Sequence, residues 1–106
     1  MADNRKYYYL KLKENFFDSD SIVLLEDMKD GILYSNILLK LYLKSLKNGG
    51  RLQLDEHIPY TAQMIATLTR HQIGTVERAL AIFQQLGLVE QLDCGLLYMT
   101  DIELMI

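Results

Sequence analysis

Val76, Ala79, Leu80, Phe83 and Leu86 recur at i, i+3, i+4, i+7 and i+10. That spacing places all five on one face of an α-helix. A shorter helical pattern runs just before it, from Ala62 to about Thr69, with Met64, Ile65 and Leu68 apolar and Thr61 as cap. "RHQIG" breaks the two apart, and Thr75 stands at the expected start of the second. Gly87 ends the second helix. "LVEQL" and "LLYM" then read as two short strands around the turn "DCG", where Gly95 supplies positive φ. Two helices joined by a tight turn and followed by a hairpin can bury their apolar faces in few ways, because each face needs a partner close in sequence.

The missing partner stands upstream. "DGILYSNILLKLYLKSLKNGG" is the strongest helix in the chain, with apolar positions from Ile32 to Leu46 on most of its circumference. Such a helix is buried on several sides. Lys40, Lys44 and Lys47 form its solvated edge and suit its C-terminal dipole. Gly49 and Gly50 stop it, "RLQL" alternates as a short strand, and "DEHIPY" is a loop around Pro59. The order from Gly31 is helix, strand, helix, turn, helix, hairpin. That is the order of a winged helix, with Thr75–Leu86 as recognition helix and the Asp93–Gly95 hairpin as wing. The expected class is α+β, mainly α with a small β-sheet.

Two elements precede this unit. "KYYYLKLK" has a period of two, with Tyr8, Leu10 and Leu12 on one face and Tyr7, Tyr9, Lys11 and Lys13 on the other. It predicts a strand over 7–13. "DSDSIVLLEDM" predicts a short helix from about Asp20 to Met28, capped by Asp18 or Ser19. The chain of 106 residues makes one domain, with 100–106 as the start of a tail or linker. The apolar tail "TDIELMI" points to a longer parent chain or to a partner.

Several function classes are excluded. The apolar run from Gly31 to Leu46 is interrupted by Ser35, Asn36, Lys40, Lys44 and Ser45, so it is no membrane span. The N-terminus lacks an export signal, and the single cysteine, Cys94, fits a cytoplasmic protein. Neither Gly49-Gly50 nor the Asp93–Gly95 turn has the flanking pattern of a phosphate loop. His57 and His71 have no histidine or cysteine at metal spacing. Asp55 to His57 reads as a polar loop and Cys94 as an incidental turn residue. No catalytic residue, metal or cofactor is expected.

The helix-turn-helix offers a DNA-reading surface. Thr75, Glu77, Arg78, Ala81, Gln84 and Gln85 are the positions expected outside the core. Arg78 can pair with guanine, and a glutamine such as Gln85 with adenine. Arg70, His71 and Gln72, in the turn, can reach phosphates, helped by the helix N-terminus. The DNA-binding candidates are thus Arg70, His71, Gln72, Thr75, Arg78 and Gln85. The plain alternative pairs Arg78 with a neighbouring acid such as Glu77 or Glu90. Charge speaks against a strong duplex binder: residues 61–106 hold Arg70 and Arg78 against five acids, a balance of 2 − 5 = −3, while residues 1–60 balance at zero. A second candidate is "RKYYYLKLK", where Arg5, Lys6, Lys11 and Lys13 interleave with tyrosines, a pattern that suits a single strand. Tyr7, Tyr9 and Lys11 serve equally as a surface for packing against another copy.

"RKYYYLKLKENFFDSDSIVLLEDMKDG", "LLKLYLKSLKNGGRLQLDEHIPYT" and "TRHQIGTVERALAIFQQLGLVE" resemble the N-terminal domain of phage replisome organisers. These are relatives of DnaD-like primosome proteins, found in phages and prophages of low-GC Gram-positive bacteria. The resemblance runs from about Lys6 to Met99. It implies a winged-helix domain at the front of a longer replication-initiation protein, acting at the phage origin and helping to bring in the host helicase and its loader. It also implies a part in self-assembly, and it supplies no catalytic residues.

The expected function is therefore self-assembly with weak contact to origin DNA. One arginine in the recognition helix neutralises little phosphate charge, but copies held together multiply weak contacts. A pure interaction module and a winged-helix transcriptional repressor are the alternatives.

Overall fold

The computed structural model describes residues 7–106. Four helices carry the fold: α1 (Asp20–Asp27), α2 (Gly31–Ser45), α3 (Ala62–Thr69) and α4 (Ile73–Gln85). Four short strands complete it: β1 (Gln53–Asp55), β2 (Ile58–Pro59), β3 (Val89–Gln91) and β4 (Leu97–Met99). The α+β class read from the sequence holds.

α2 is the centre of the molecule. Tyr34, Ile37, Leu38, Leu41 and Tyr42 are all buried, and α1, α3, α4 and β4 all pack against this helix. Two buried serines on it cost nothing unpaired: Ser35 Oγ donates to the Ile32 carbonyl and Ser45 Oγ to that of Tyr42. Gly31 lets the corner before α2 close, because a Cβ there would run into the Glu26 and Leu25 carbonyls at the end of α1. α4 meets α2 with Val76, Ala79, Leu80 and Phe83, the face that the apolar spacing marks out.

β3 and β4 form an antiparallel hairpin in the register Val89–Met99, Glu90–Tyr98 and Gln91–Leu97. Gly50–Leu52 lies along the other edge of β4. Arg51 bridges Tyr98, Leu52 N–H donates to Leu97 O at 2.9 Å, and Met99 N–H donates to Gly50 O at 2.8 Å. β1 and β2 make a separate small hairpin, pairing Gln53 with Pro59 and Asp55 with Ile58. "DEHIPY", expected as a loop, therefore contains a strand. Pro59 fits there because β2 is an edge with no further ladder to donate to.

Three further expectations are corrected. Residues 7–13 form no strand: Tyr8 is 50% and Leu12 42% exposed, and only Leu10 packs partly against the core. A period of two gives faces but no partner. The segment's backbone link is Lys11 N–H to Met105 O at 2.7 Å, beside a 3₁₀ turn (Ile102–Leu104) that cannot extend a ladder. α4, expected to start at Thr75, begins at Ile73 with Gln72 in the N-cap position and no side-chain capping bond, so Thr75 lies inside the first turn and is buried. The tail does not simply hang free: Ile102 and Met105 are buried in the core, while Leu104 and Ile106 are exposed.

Candidate nucleic-acid interface

The turn between α3 and α4 is set by Arg70. It closes α3 in the left-handed conformation, φ 62°, with its N–H bonded to Ala66 O. This is costly for a residue with a Cβ, and it is held by a second link. Lys40 Nζ donates to Thr69 O at 2.8 Å, placing a cation at the negative end of α3. His71 N–H also reaches Ala66 O, at 3.1 Å. The His71 ring bonds across to α2, Nε2 donating to Asn36 Oδ1 at 2.8 Å. Burial and the nearby Lys40 charge hold the His71 pKa below its ordinary value. That shift favours the neutral ring, which is bonded to Asn36 of α2.

On α4 the outward residues are Ile73, Glu77, Arg78, Ala81, Gln84 and Gln85. Thr75 is 8% exposed and offers no surface for a base. Its hydroxyl oxygen accepts from Arg78 Nη2 at 3.5 Å. The same Nη2 lies 3.9 Å from Asp30 Oδ2, so the partner of Arg78 is neither Glu77 nor Glu90 but the acid at the α1–α2 corner. The guanidinium passes over Gly74, where a Cβ would stand 3.5 Å from Nη1. Arg78 thus lies back along its helix.

The six DNA-binding candidates do not form one cluster. Arg70, His71 and Gln72 share the turn, Thr75 and Arg78 touch each other, and Gln85 is a whole helix away, roughly 20 Å from Gln72. Arg70 instead joins residues that sequence reasoning left as a solvated edge. Lys40, Leu43 and Lys44 of α2, with Leu68 and Arg70, line a shallow cleft of about 180 Å³ that contains no acid. The lysine stripe was legible; that the end of α3 lies beside it was not.

Of the interaction-surface candidates, Tyr7, Tyr9 and Lys11 are all exposed. Lys11 also borders an open pocket of about 400 Å³ between the front segment and the tail, with Phe16, Ile22 and Tyr42 on its walls. Burial, and then the charge of Asp101, push the Tyr42 hydroxyl up to about 12. Arg5 and Lys6 lie outside the described residues. Among the described residues no group of three or more His, Cys, Asp or Glu is placed to hold a metal ion. No described helix is long and apolar enough to cross a membrane.

No curated protein and no solved structure matches the chain. A helix-turn-helix with a following hairpin, preceded by an extra helix and a tyrosine-rich segment, is one architecture over nearly the full length, and one family model matches it over residues 9–105: the chain belongs to the N-terminal phage replisome organiser family.

Proposed function

We propose that this domain is a non-catalytic, winged-helix assembly unit of phage replication initiation that touches origin DNA weakly, through copies held together. Family membership supports the role in replication. Gly50–Leu52 laid along β4 supports the winged-helix reading, since one isolated bridge and two backbone hydrogen bonds hold it as an extended segment beside the hairpin. The observation that carries the functional reading is the state of α4. Its single cation lies beside Asp30, and its remaining outward surface is Ile73, Glu77, Ala81 and two glutamines. A lone helix of that kind gains little from phosphate neutralisation. Val23 and Leu24 of α1 and Ile32 and Leu43 of α2 are exposed apolar side chains that a second copy could cover.

The test is light scattering across protein concentration, with labelled origin-region duplex titrated at low and at physiological salt. Association that rises with concentration, and DNA retention only where the protein associates, are expected. A strict monomer that binds duplex tightly would overturn the proposal. A second reading has an observation of its own: Lys40, Lys44 and Arg70 could track phosphates without reading bases. It requires a salt slope that falls by about one for each cation removed.

A further inference from the structure

α1 shows solvent a stripe of its own. Asp20, Val23, Leu24 and Asp27 are all exposed and stand at i, i+3, i+4 and i+7, while Ile22 and Leu25 point into the core. The helix contains no lysine or arginine. Its outer face therefore reads acid, apolar, apolar, acid along one line. Beyond it Phe17 is also exposed, at 46%.

α2 carries the opposite pattern. Lys40, Leu43 and Lys44, continued by Lys47 in the next turn, stand at the same spacing. Leu43 is 53% and Leu68 38% exposed, together on the floor of the acid-free cleft that Lys40, Lys44 and Arg70 rim. Asp20 and Asp27 are seven residues apart on α1, about 10 Å along its axis. Lys40 and Lys44 stand one turn apart on α2, and Lys47 follows in the 3₁₀ turn Leu46–Asn48, beyond the cleft lining. One side of the cleft is also prepared in advance, because Lys40 Nζ is held on the Thr69 carbonyl. A side chain already ordered loses less entropy on binding.

We propose that α1 of one copy docks in the α2–α3 cleft of the next, Val23 and Leu24 covering Leu43 and Leu68, with Asp20 and Asp27 against the cationic rim. This rests on the assembly reading above and names its surfaces. Charge and apolar complementarity select the occupant. A phosphate backbone would use the cations and leave both leucines wet, whereas α1 covers them and matches the charges on both sides. The two patches are different parts of the same chain: two copies that exchange the contact reciprocally close a two-fold dimer, and copies that do not build a ring or an open chain. One eight-residue helix in a groove falls short of the roughly 1,200 Å² of a stable interface, so each link is weak and gains from copies gathered on one template.

Sedimentation equilibrium on the full chain tests this with four proteins: the natural sequence, Asp20→Lys with Asp27→Lys, Lys44→Glu with Lys47→Glu, and all four changes in one chain. Whole-stripe reversal works whichever way α1 lies in the cleft. Each pair alone should weaken association at least about fivefold, since like charges then face each other. The four-change chain should recover to within about threefold. Leu24→Ser, which alters no charge, should also weaken association, and thermal melts check that every variant is folded. A chain monomeric at all concentrations overturns the assembly reading and this docking together. Association that survives the lysine reversal, or that the four-change chain fails to restore, overturns the docking alone. Lost DNA retention with unchanged association in the lysine variant gives the cleft to phosphates, and likewise overturns it.

Discussion

Arg78 Nη2 lies 3.9 Å from Asp30 Oδ2, tying the only lysine or arginine of α4 to the corner between α1 and α2. Both side chains are substantially exposed, 57% and 38%. Such a pair contributes about 0–1 kcal/mol, so its consequence is direction rather than stability. Asp30 sits at φ 65°, a conformation that asparagine tolerates. Asp30→Asn should leave the melting temperature within a few degrees and raise low-salt retention of duplex DNA a few-fold by releasing Arg78. Arg78→Ala in that background should remove the gain. Unchanged retention in Asp30→Asn would show that Arg78 is not masked, or that α4 does not approach DNA.

The tail supplies a second test. Ile102 is fully buried and Leu104 is 74% exposed, two residues apart on one turn. Ile102→Ala should cost about 2–5 kcal/mol in denaturant unfolding, the range for a truncated core side chain. Leu104→Ala should stay within about 0.5 kcal/mol. Equal small effects would mean that 100–106 is a linker and not part of the core.

His71 gives a pH dependence with a definite sign. Burial and Lys40 lower its pKa in the folded protein below the ordinary 6.5, so the unfolded chain binds the proton more readily. Its contribution to stability is complete above about pH 6.5 and is lost as pH falls through the folded value. Melting temperature should therefore drop on acidification below pH 6.5 by more in the natural protein than in His71→Gln. A glutamine keeps a donor for Asn36 Oδ1 and does not titrate. Identical pH profiles would remove His71 from the account.

Tyr42 titrates at the other end of the scale. It is buried and held near 12, so it stays protonated after exposed tyrosines have ionised. Its contribution is present below the ordinary value of 10 and is lost as pH rises through about 12. Ultraviolet titration should show a late-ionising component near pH 12 that disappears in Tyr42→Phe.

Periodicity alone determined much of this molecule. Ala62–Thr69 is a helix at the predicted bounds, and the hairpin turns at Asp93–Gly95, because caps, glycines and apolar spacing act within a few residues. The inward face of α4 followed from Val76, Ala79, Leu80 and Phe83 for the same reason. Local pattern failed where a segment depended on its neighbour. Tyr7–Lys13 has the alternation of a strand, but its Lys11 N–H bonds to Met105 just after a 3₁₀ turn and the segment forms no strand. Thr75 looks like a cap until Gln72 starts the helix earlier and carries it inside. The site was least legible of all. Asp30 and Arg78 are 48 residues apart, and Lys40 and Arg70 are 30 apart, so charge counted along the chain could not show that one cation lies beside an acid and three others gather at a cleft. Sequence sets which residues can be helical and apolar over short range; only the packing of α2 against α1, α3 and α4 decides which charges meet, because Coulomb energy depends on distance in space and not along the chain.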